Sequence, residues 1–250
     1  MTYIIDKITK KNNGFEIVIQ NQSFIVDSFL YSVLLPYVHK KIEEEQLEII
    51  QVFSKYHDIF QPLYIQMNRK ELSIHDVKKY LQKKDLNNKE IDQILRLWID
   101  ESYLNDQQFI QSHCKEYEKD KGKDAFKAFL NRHGIHPLLI EQALEQFQEN
   151  ETWIQNYIQK QISKNQHSAK YLKYKIEQNL LQKGFSYALI EKYLNSMDVD
   201  DNEQLKKDYF KIIQKKNEKN PYKIISKLIH KGYNVDDIKK IMKDGEDANE

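Results

Sequence analysis

The sequence predicts a mainly α-helical protein of elongated tandem three-helix repeats, each starting as a helix-turn-helix-like unit, behind a small N-terminal β-ribbon. Three observations support this fold class. The 250-residue chain has only 6 Gly and 4 Pro and is rich in Lys, Glu, Gln, Leu and Ile, which favours helices. One pattern of apolar residues around a junction returns four times along the chain. The first 26 residues are instead rich in β-branched and aromatic side chains, which favour strands.

The N-terminal segment has two β-forming runs, YIIDKITKK and FEIVIQNQSFIV, on either side of NNG. Asn13-Gly14 suits a tight hairpin turn that needs positive φ, so we expect a β-ribbon here. Asp27 or Ser28 then caps a short helix that Pro36 ends. The following run, EEEQLEIIQVFSKYHDIF, has apolar residues along one helical side. We expect this second helix to end at Pro62.

The fourfold pattern aligns on a junction position that is Asp85, Gly134, Gly184 or Gly232. Residues four and eight places before the junction, and one, six and ten places after it, are apolar or aromatic in every copy. Spacings of four place side chains on one helical face, and a junction glycine adopts the left-handed conformation that ends a helix. Asp85 tolerates that conformation at a cost of about 1 kcal/mol relative to Gly. The twenty positions that we expect to be buried are Val77, Leu81, Leu86, Ile91, Leu95, Phe126, Leu130, Ile135, Ile140, Leu144, Ile176, Leu180, Phe185, Ile190, Leu194, Ile224, Leu228, Tyr233, Ile238 and Met242.

A third helix follows in the first three units, where acidic residues favour helix N-termini. The fourth unit lacks a third helix, because the chain ends soon after Met242 in a tail that we expect to fray. Since a unit of about 50 residues buries its apolar face poorly alone, neighbouring units should stack into an elongated body. The predicted segments are the β-ribbon and helical lead-in at 1–63, three-helix repeats at 64–120, 121–166 and 167–217, and a terminal two-helix half-repeat with the tail at 218–250.

Motifs for catalysis or metal binding are weak in this chain. Neither GxGxxG nor GxxxxGK[ST] occurs, and no spacing singles out a Ser/His/Asp set. His133 and His136 lie three apart, with His113 and Cys114 on an adjacent helix. We interpret His133 as the end of one helix and His136 as the cap of the next, since no CxxC or HExxH accompanies them. The DVDDNE stretch from Asp198 lacks the glycine of a calcium loop, so it is interpreted as a helix N-cap. We expect no enzyme activity, no cofactor and no metal.

The sequence also indicates the compartment in which the protein acts. It has no run of about 18 apolar residues and no signal-like N-terminus. Its single cysteine fits a reducing compartment. We therefore expect a cytoplasmic monomer that does not bind membranes.

The net charge of +1 hides an asymmetry. Residues 160–231 contain 16 Lys and 8 acids, a net of +8, which leaves −7 for the rest of the chain. Lysines here interleave with tyrosines or form rows four residues apart: Lys170, Tyr171, Lys173, Tyr174 and Lys175; Lys207, Lys211 and Lys215; Lys223, Lys227 and Lys231. Such rows suit phosphates or an acidic protein groove, and they are equally typical of solvated helix faces.

In order along the chain, the repeats resemble those of the RecX family. MNRKELSIHDVKKYLQKKDL resembles the opening of the family's first repeat, and IDESYLNDQQFIQSH its Gly-x-Leu-Asp-Asp-x-x-Phe stretch. LNRHGIHPLLIEQAL and LLQKGFSYALI resemble the junctions of its second and third repeats. At KDKGKDAF the chain departs from the family, because only Gly122 and Lys123 remain of a Gly-Pro-Arg-rich opening.

The resemblance implies a non-enzymatic regulator of homologous recombination, DNA repair and the SOS response. Such a protein binds in the groove of the RecA–DNA filament and inhibits RecA ATPase and strand exchange. Its partner is the RecA-type recombinase filament, with single- or double-stranded DNA as a further candidate. The residues predicted to contact the partner or DNA are Arg69, Lys70, Lys123, Arg132, Lys173, Lys175 and Lys183. Two alternatives stay open: a helical-repeat nucleic-acid-binding protein and a protein-interaction scaffold, neither acting on RecA.

Overall fold

The computed structural model of the protein describes residues 2–216 and 220–247. The chain forms two compact units. Unit 1 comprises Met1–Ser112 and Leu130–Leu139, and unit 2 comprises His113–Phe129 and Ile140–Glu250. The strands are β1 (Thr2–Lys11), β2 (Gly14–Ile19), β3 (Gln22–Val26) and β4 (Lys41–Glu43). The α-helices of the described residues are α1 (Ser28–Leu34), α2 (Glu44–Lys55), α3 (His57–Arg69), α4 (Ile74–Gln82), α5 (Asn88–Asp100), α6 (Asp106–Tyr117), α7 (Lys123–Arg132), α8 (Pro137–Gln146), α9 (Glu151–Ser163), α10 (Ala169–Gln182), α11 (Tyr187–Asn195), α12 (Asn202–Lys216), α13 (Pro221–His230) and α14 (Val235–Asp247).

The N-terminal β-structure is confirmed and is larger than a ribbon. It is an antiparallel sheet with strand order β3-β2-β1-β4. Asn12 and Asn13 form the turn between β1 and β2, one residue earlier than the expected Asn13-Gly14, and Gly14 begins β2 with a φ of 141°. The second β-forming run is itself a hairpin, because Gln20 and Asn21 take positive φ values of 48° and 66° that suit a two-residue turn. The short strand β4 was not expected, since only three residues pair with β1.

Asp27 connects this sheet to the helices, and its predicted capping role is confirmed. Its Oδ1 accepts the Leu30 N–H at 2.8 Å, and its Oδ2 accepts the Tyr64 hydroxyl at 2.8 Å. Burial raises the pKa of Asp27, while these two hydrogen bonds act against the rise. Pro36 lies in the 3₁₀ turn directly after α1, so it ends this helix as expected.

The prediction that a helix ends at Pro62 is wrong. The break falls at Tyr56, whose φ of −110° and ψ of 19° interrupt the helix, and α3 runs through Pro62. Pro62 lacks only the N–H that would bond to the Asp58 carbonyl.

The tandem helix-turn-helix architecture is confirmed. Of the twenty side chains predicted to be buried, seventeen are buried, and Leu144, Leu194 and Met242 are half-buried. The junctions Asp85, Gly134, Gly184 and Gly232 all take positive φ, at 46°, 65°, 80° and 92°. After each glycine, the next N–H bonds back across the helix end at 3.1 to 3.2 Å, which is the Schellman pattern.

Helix lengths distinguish one repeat from the others. Among the helices that precede a junction, α4, α7 and α13 have 9 or 10 residues, whereas α10 has 14. α10 therefore carries about one extra turn. At the C-terminus α14 continues to Asp247, and the remainder of the predicted frayed tail, residues 248–250, lies outside the described residues. The five predicted segment boundaries stay a prediction.

Over the described ranges, every helix is too short or too polar to cross a lipid bilayer.

Candidate partner-binding surface

The start of a repeat docks on the junction of the repeat that follows it. The residue directly before the first helix of the repeat supplies the donor, through a serine hydroxyl in two cases and a backbone N–H in the third, and the carbonyl just before the next junction glycine accepts. We call each such contact a joint. The three joints are Ser73 Oγ to the His133 carbonyl at 2.7 Å, Gly122 N–H to the Lys183 carbonyl at 2.9 Å, and Ser168 Oγ to the Lys231 carbonyl at 2.5 Å. Since both serines also cap the helices they precede, helix capping and repeat docking use the same atoms.

The joints explain why glycine occupies the later junctions. A Cβ on Gly184 would lie 2.3 Å from the backbone nitrogen of Ala125, and one on Gly134 would lie 2.3 Å from the ring of His75. Asp85 belongs to the first repeat, so no earlier repeat docks on it, and its side chain is exposed. Position 85 therefore requires a residue that tolerates positive φ but does not require a missing Cβ. A short polar residue such as Asp meets this requirement.

Asp200 caps α12 as predicted, since its Oδ1 accepts the Asn202 N–H at 2.9 Å. A further role was not predicted for three acids near the starts of the third helices. Each accepts a backbone N–H from the first turn of the first helix in its own repeat. The bonds are Ile74 N–H to Asp106 Oδ1 at 2.9 Å, Lys123 N–H to Glu149 Oε1 at 3.1 Å, and Ala169 N–H to Asp201 Oδ2 at 2.5 Å. These acids satisfy N–H groups that a helix start leaves without partners. Burial raises the pKa of Asp106, against the effect of its bond to Ile74.

The residue before each junction glycine is basic or histidine and pairs with an acid. The pairs are His133 with Asp76 at 2.6 Å, Lys183 with Asp120 at 2.7 Å, and Lys231 with Asp208 at 2.6 Å. The Lys183 ammonium also lies 4.8 Å from the centre of the Trp153 ring. Lys183, which was predicted to contact the partner, therefore has a structural role at a joint.

Replacing Lys183 with Gln should move the pKa of Asp120 upward. The hydrogen bond from Lys183 lowers the pKa of this carboxyl, so its contribution to stability is present above the ordinary carboxyl pKa and is lost as the pH falls. In Lys183→Gln we expect the Asp120 pKa to rise toward the ordinary value of an aspartate side chain, measured by NMR titration. At neutral pH the free energy of unfolding should fall by less than about 1 kcal/mol, because the pair is partly exposed.

Lys175→Gln is the matched control for this titration. Lys175 lies on α10, the helix that Lys183 directly follows, and it forms no ion pair within residues 2–216 and 220–247. It should leave the Asp120 pKa unchanged. An Asp120 pKa that stays depressed in Lys183→Gln would contradict the assigned joint.

The seven predicted contact residues divide between the two units. Arg69, Lys70 and Arg132 belong to unit 1, and Lys123, Lys173, Lys175 and Lys183 belong to unit 2. Arg69, Lys70, Arg132 and Lys175 are exposed, whereas Lys123, Lys173 and Lys183 are half-buried. Across the described part of the chain, Lys183 is the one member of this set that forms an ion pair. Their roles in partner contact stay predictions.

The histidines and the cysteine have local partners. His136 Nδ1 accepts the Leu138 N–H at 3.3 Å, so its predicted capping role is confirmed. Cys114 Sγ lies 3.6 Å from Glu118 Oε1. Burial and this neighbouring carboxylate raise the pKa of Cys114 to about 11, so the thiol is protonated at neutral pH. Among the described residues, no group of three or more His, Cys, Asp or Glu side chains could hold a metal.

Two lysine rows of the basic segment meet at one groove, which we call the α12–α13 groove. It has a volume of about 420 Å³. The lining residues are Asp208, Lys211 and Ile212 from α12, and Ser226, Lys227, His230 and Lys231 at and just beyond α13. The rows were recognised in the sequence, but their convergence depends on how α12 packs on α13.

Exposed aromatic side chains are concentrated in the same basic segment. Within the described residues, every aromatic side chain that is more than 40% exposed lies between residues 171 and 222. These are Tyr171 at 46%, Tyr174 at 59%, Tyr187 at 59%, Phe210 at 49% and Tyr222 at 84%. Large exposed aromatics among lysines are typical of binding surfaces.

Several known proteins are similar to this chain over nearly its whole length. No protein-family model matches the chain. The chain is 28% identical to the regulatory protein RecX of Streptococcus agalactiae serotype V, with 96% of this chain and 98% of the relative covered. It is 29% identical to the RecX protein of Streptococcus mutans serotype c at the same coverages. It is 26% identical to that of Bacillus pumilus, with 98% of this chain and 100% of the relative covered.

A crystal structure of regulatory protein RecX matches with a TM-score of 0.55 at 18% identity, covering 78% of this chain and 100% of that one. This likeness supports the fold. The resemblance indicated by the repeat motifs is confirmed over nearly the whole chain.

Proposed function

We propose that this RecX-like chain regulates a RecA-type recombinase in homologous recombination and DNA repair. It binds in the groove of the recombinase filament on DNA and lowers ATP turnover and strand exchange. It acts in the cytoplasm and without catalytic chemistry of its own.

Similarity along the whole chain is the observation that carries this proposal. The three relatives described above are covered over 98 to 100% of their length, so the similarity to them extends across every repeat. A filament presents the same subunit surface at regular intervals. The junctions of this chain recur every 48 to 50 residues, so equivalent backbone positions return periodically, as in repeat proteins, and such a chain suits a filament as its partner.

Co-sedimentation tests binding to the filament. Recombinase filaments are formed on single-stranded DNA with a slowly hydrolysed ATP analogue and pelleted with this protein. We expect more of the protein in the pellet with filaments than with the DNA alone. Equal amounts in the two pellets, or none in either, would contradict the proposal.

The pair Arg69 and Lys70 gives a residue-level test in the same assay. Arg69→Glu with Lys70→Glu should weaken co-sedimentation several-fold, because charge reversal at exposed contacts opposes a polyanionic assembly. The matched control is Lys40→Glu with Lys41→Glu, which makes the same charge change on exposed residues of unit 1. Equal loss in both variants would show that total charge, and not this site, is responsible.

A further inference from the structure

We infer that the α12–α13 groove binds the phosphate backbone of a single-stranded nucleic acid, with Tyr222 stacking on a base at the end of the groove. Cations line the groove on both sides. Lys211 lies on the α12 side, and Lys227 and Lys231 lie on the α13 side. Lysines on two sides of a groove can follow successive phosphates of a strand.

Asp208 is the acidic residue that lines this groove, and its charge is already engaged. Its Oδ1 accepts the Lys231 ammonium at 2.6 Å, and its Oδ2 accepts the Tyr233 hydroxyl at 2.8 Å. The side chain is buried. The carboxylate is therefore compensated and turned away from solvent, so it opposes an anionic ligand weakly. His230 lies on the same wall, where its Nδ1 donates to the Ser226 carbonyl at 2.8 Å.

An aromatic residue continues one wall of the groove. Tyr222, Ser226 and His230 are spaced four apart on α13, so they form one row on the helix surface. Ser226 and His230 line the groove, which places Tyr222 one turn beyond its end. Tyr222 is 84% exposed. Phe210, next to Lys211 in sequence, is 49% exposed.

The exposed aromatics decide between the possible anionic partners. An acidic peptide would use the lysines but has no need of an exposed tyrosine at the groove end. A duplex keeps its bases stacked inside, so Tyr222 would have no base to contact. A single strand offers both phosphates and unstacked bases, and aromatic side chains stack on any of them.

Fluorescence anisotropy with labelled oligothymidylate tests this site in the absence of any recombinase, so failure here leaves the proposed function untouched. The wild-type protein should bind the strand with an affinity that falls as salt rises. Lys211→Glu with Lys227→Glu should weaken binding by at least about tenfold at low salt and make the salt slope shallower by about 1.4, since each phosphate contact on a single strand contributes about 0.7. Tyr222→Ala should weaken binding by about tenfold with an unchanged slope, as expected for one lost base stack.

Two further variants control for effects of total charge and of unfolding. Lys239→Glu with Lys240→Glu makes the same charge change on exposed residues of α14 in the same unit, and should bind within about twofold of wild type, as expected of lysines that contact no phosphate. Lys211→Glu alone, on an exposed helix position, keeps the test valid if the double variant unfolds, which circular dichroism would reveal. Lys231 is left intact because it belongs to a joint.

Competition identifies the ligand. Unlabelled oligothymidylate should displace the labelled strand at lower concentration than a duplex of the same length or polyglutamate. Four results would overturn the inference: no binding at low salt, equal affinity of wild type and the groove variants, equal loss in the α14 control, or displacement by duplex or polyglutamate at least as effective as by the single strand.

Discussion

Gly184→Ala is expected to lower the free energy of unfolding by about 3 kcal/mol, from about 1 kcal/mol for a side chain in the left-handed conformation and about 2 kcal/mol for overpacking. Gly184 has φ of 80°. The new Cβ would lie 2.3 Å from the nitrogen and 2.6 Å from the Cβ of Ala125. Because the nearest contact is backbone at the joint, no side-chain rotation relieves it. The loss should appear in denaturant unfolding and as faster amide exchange at this joint in unit 2.

The equivalent position of the first repeat should behave in the opposite way. Asp85 also has positive φ, at 46°, but no earlier repeat docks on it. Asp85→Gly should therefore raise the free energy of unfolding by up to about 1 kcal/mol, because only backbone strain is relieved. If Gly184→Ala is neutral, or if Asp85→Gly destabilises the protein strongly, the joint does not explain the choice of residue at the junction.

Leu180→Ala is expected to cost about 3 kcal/mol, the size found for truncating fully buried leucines. Leu180 is 0% exposed and packs in a cluster with Ile176, Phe185 and Ile190. Truncation there leaves a cavity bounded by rigid neighbours. Urea unfolding followed by circular dichroism measures the loss, with the slope of the transition checked for two-state behaviour.

The neighbouring leucine provides the control for this truncation. Leu181 is 39% exposed and lies on the other side of α10. Leu181→Ala should change the free energy of unfolding by less than about 1 kcal/mol, because most of its surface stays in water. Similar losses at the two positions would mean that the apolar pattern does not mark the core.

Local chemistry accounts for what was predictable from the sequence. Spacings of four and the junction glycines depend on residues close together in the chain, so the helix pairs and the buried positions were found. The Asp27 cap was found for the same reason. At Pro62 the same local reasoning failed, because a proline in an early turn removes only one hydrogen bond and the break was placed elsewhere by Tyr56.

Contacts between distant residues were not predictable. Ser73 meets His133 across 60 positions, and Ser168 meets Lys231 across 63. One signal for the joints was present in the sequence. Ser73 and Gly122 each precede the junction of their own repeat by twelve residues. Ser168 precedes its junction by sixteen residues, because α10 has about one extra turn. Lys183 was assigned to partner contact from its place near a junction in the basic segment, and the pairing of its ammonium with Asp120 was not foreseen.

ATP turnover by a RecA-type recombinase on single-stranded DNA tests the central proposal most directly. Increasing amounts of this protein are added to a fixed amount of recombinase on saturating single-stranded DNA, and Arg69→Glu with Lys70→Glu is tested in parallel. We predict that turnover falls well below its starting rate while this protein is still far less abundant than the recombinase, and that the charge-reversed variant has a weaker effect. Turnover that stays unchanged at a several-fold excess of the intact protein would contradict the account.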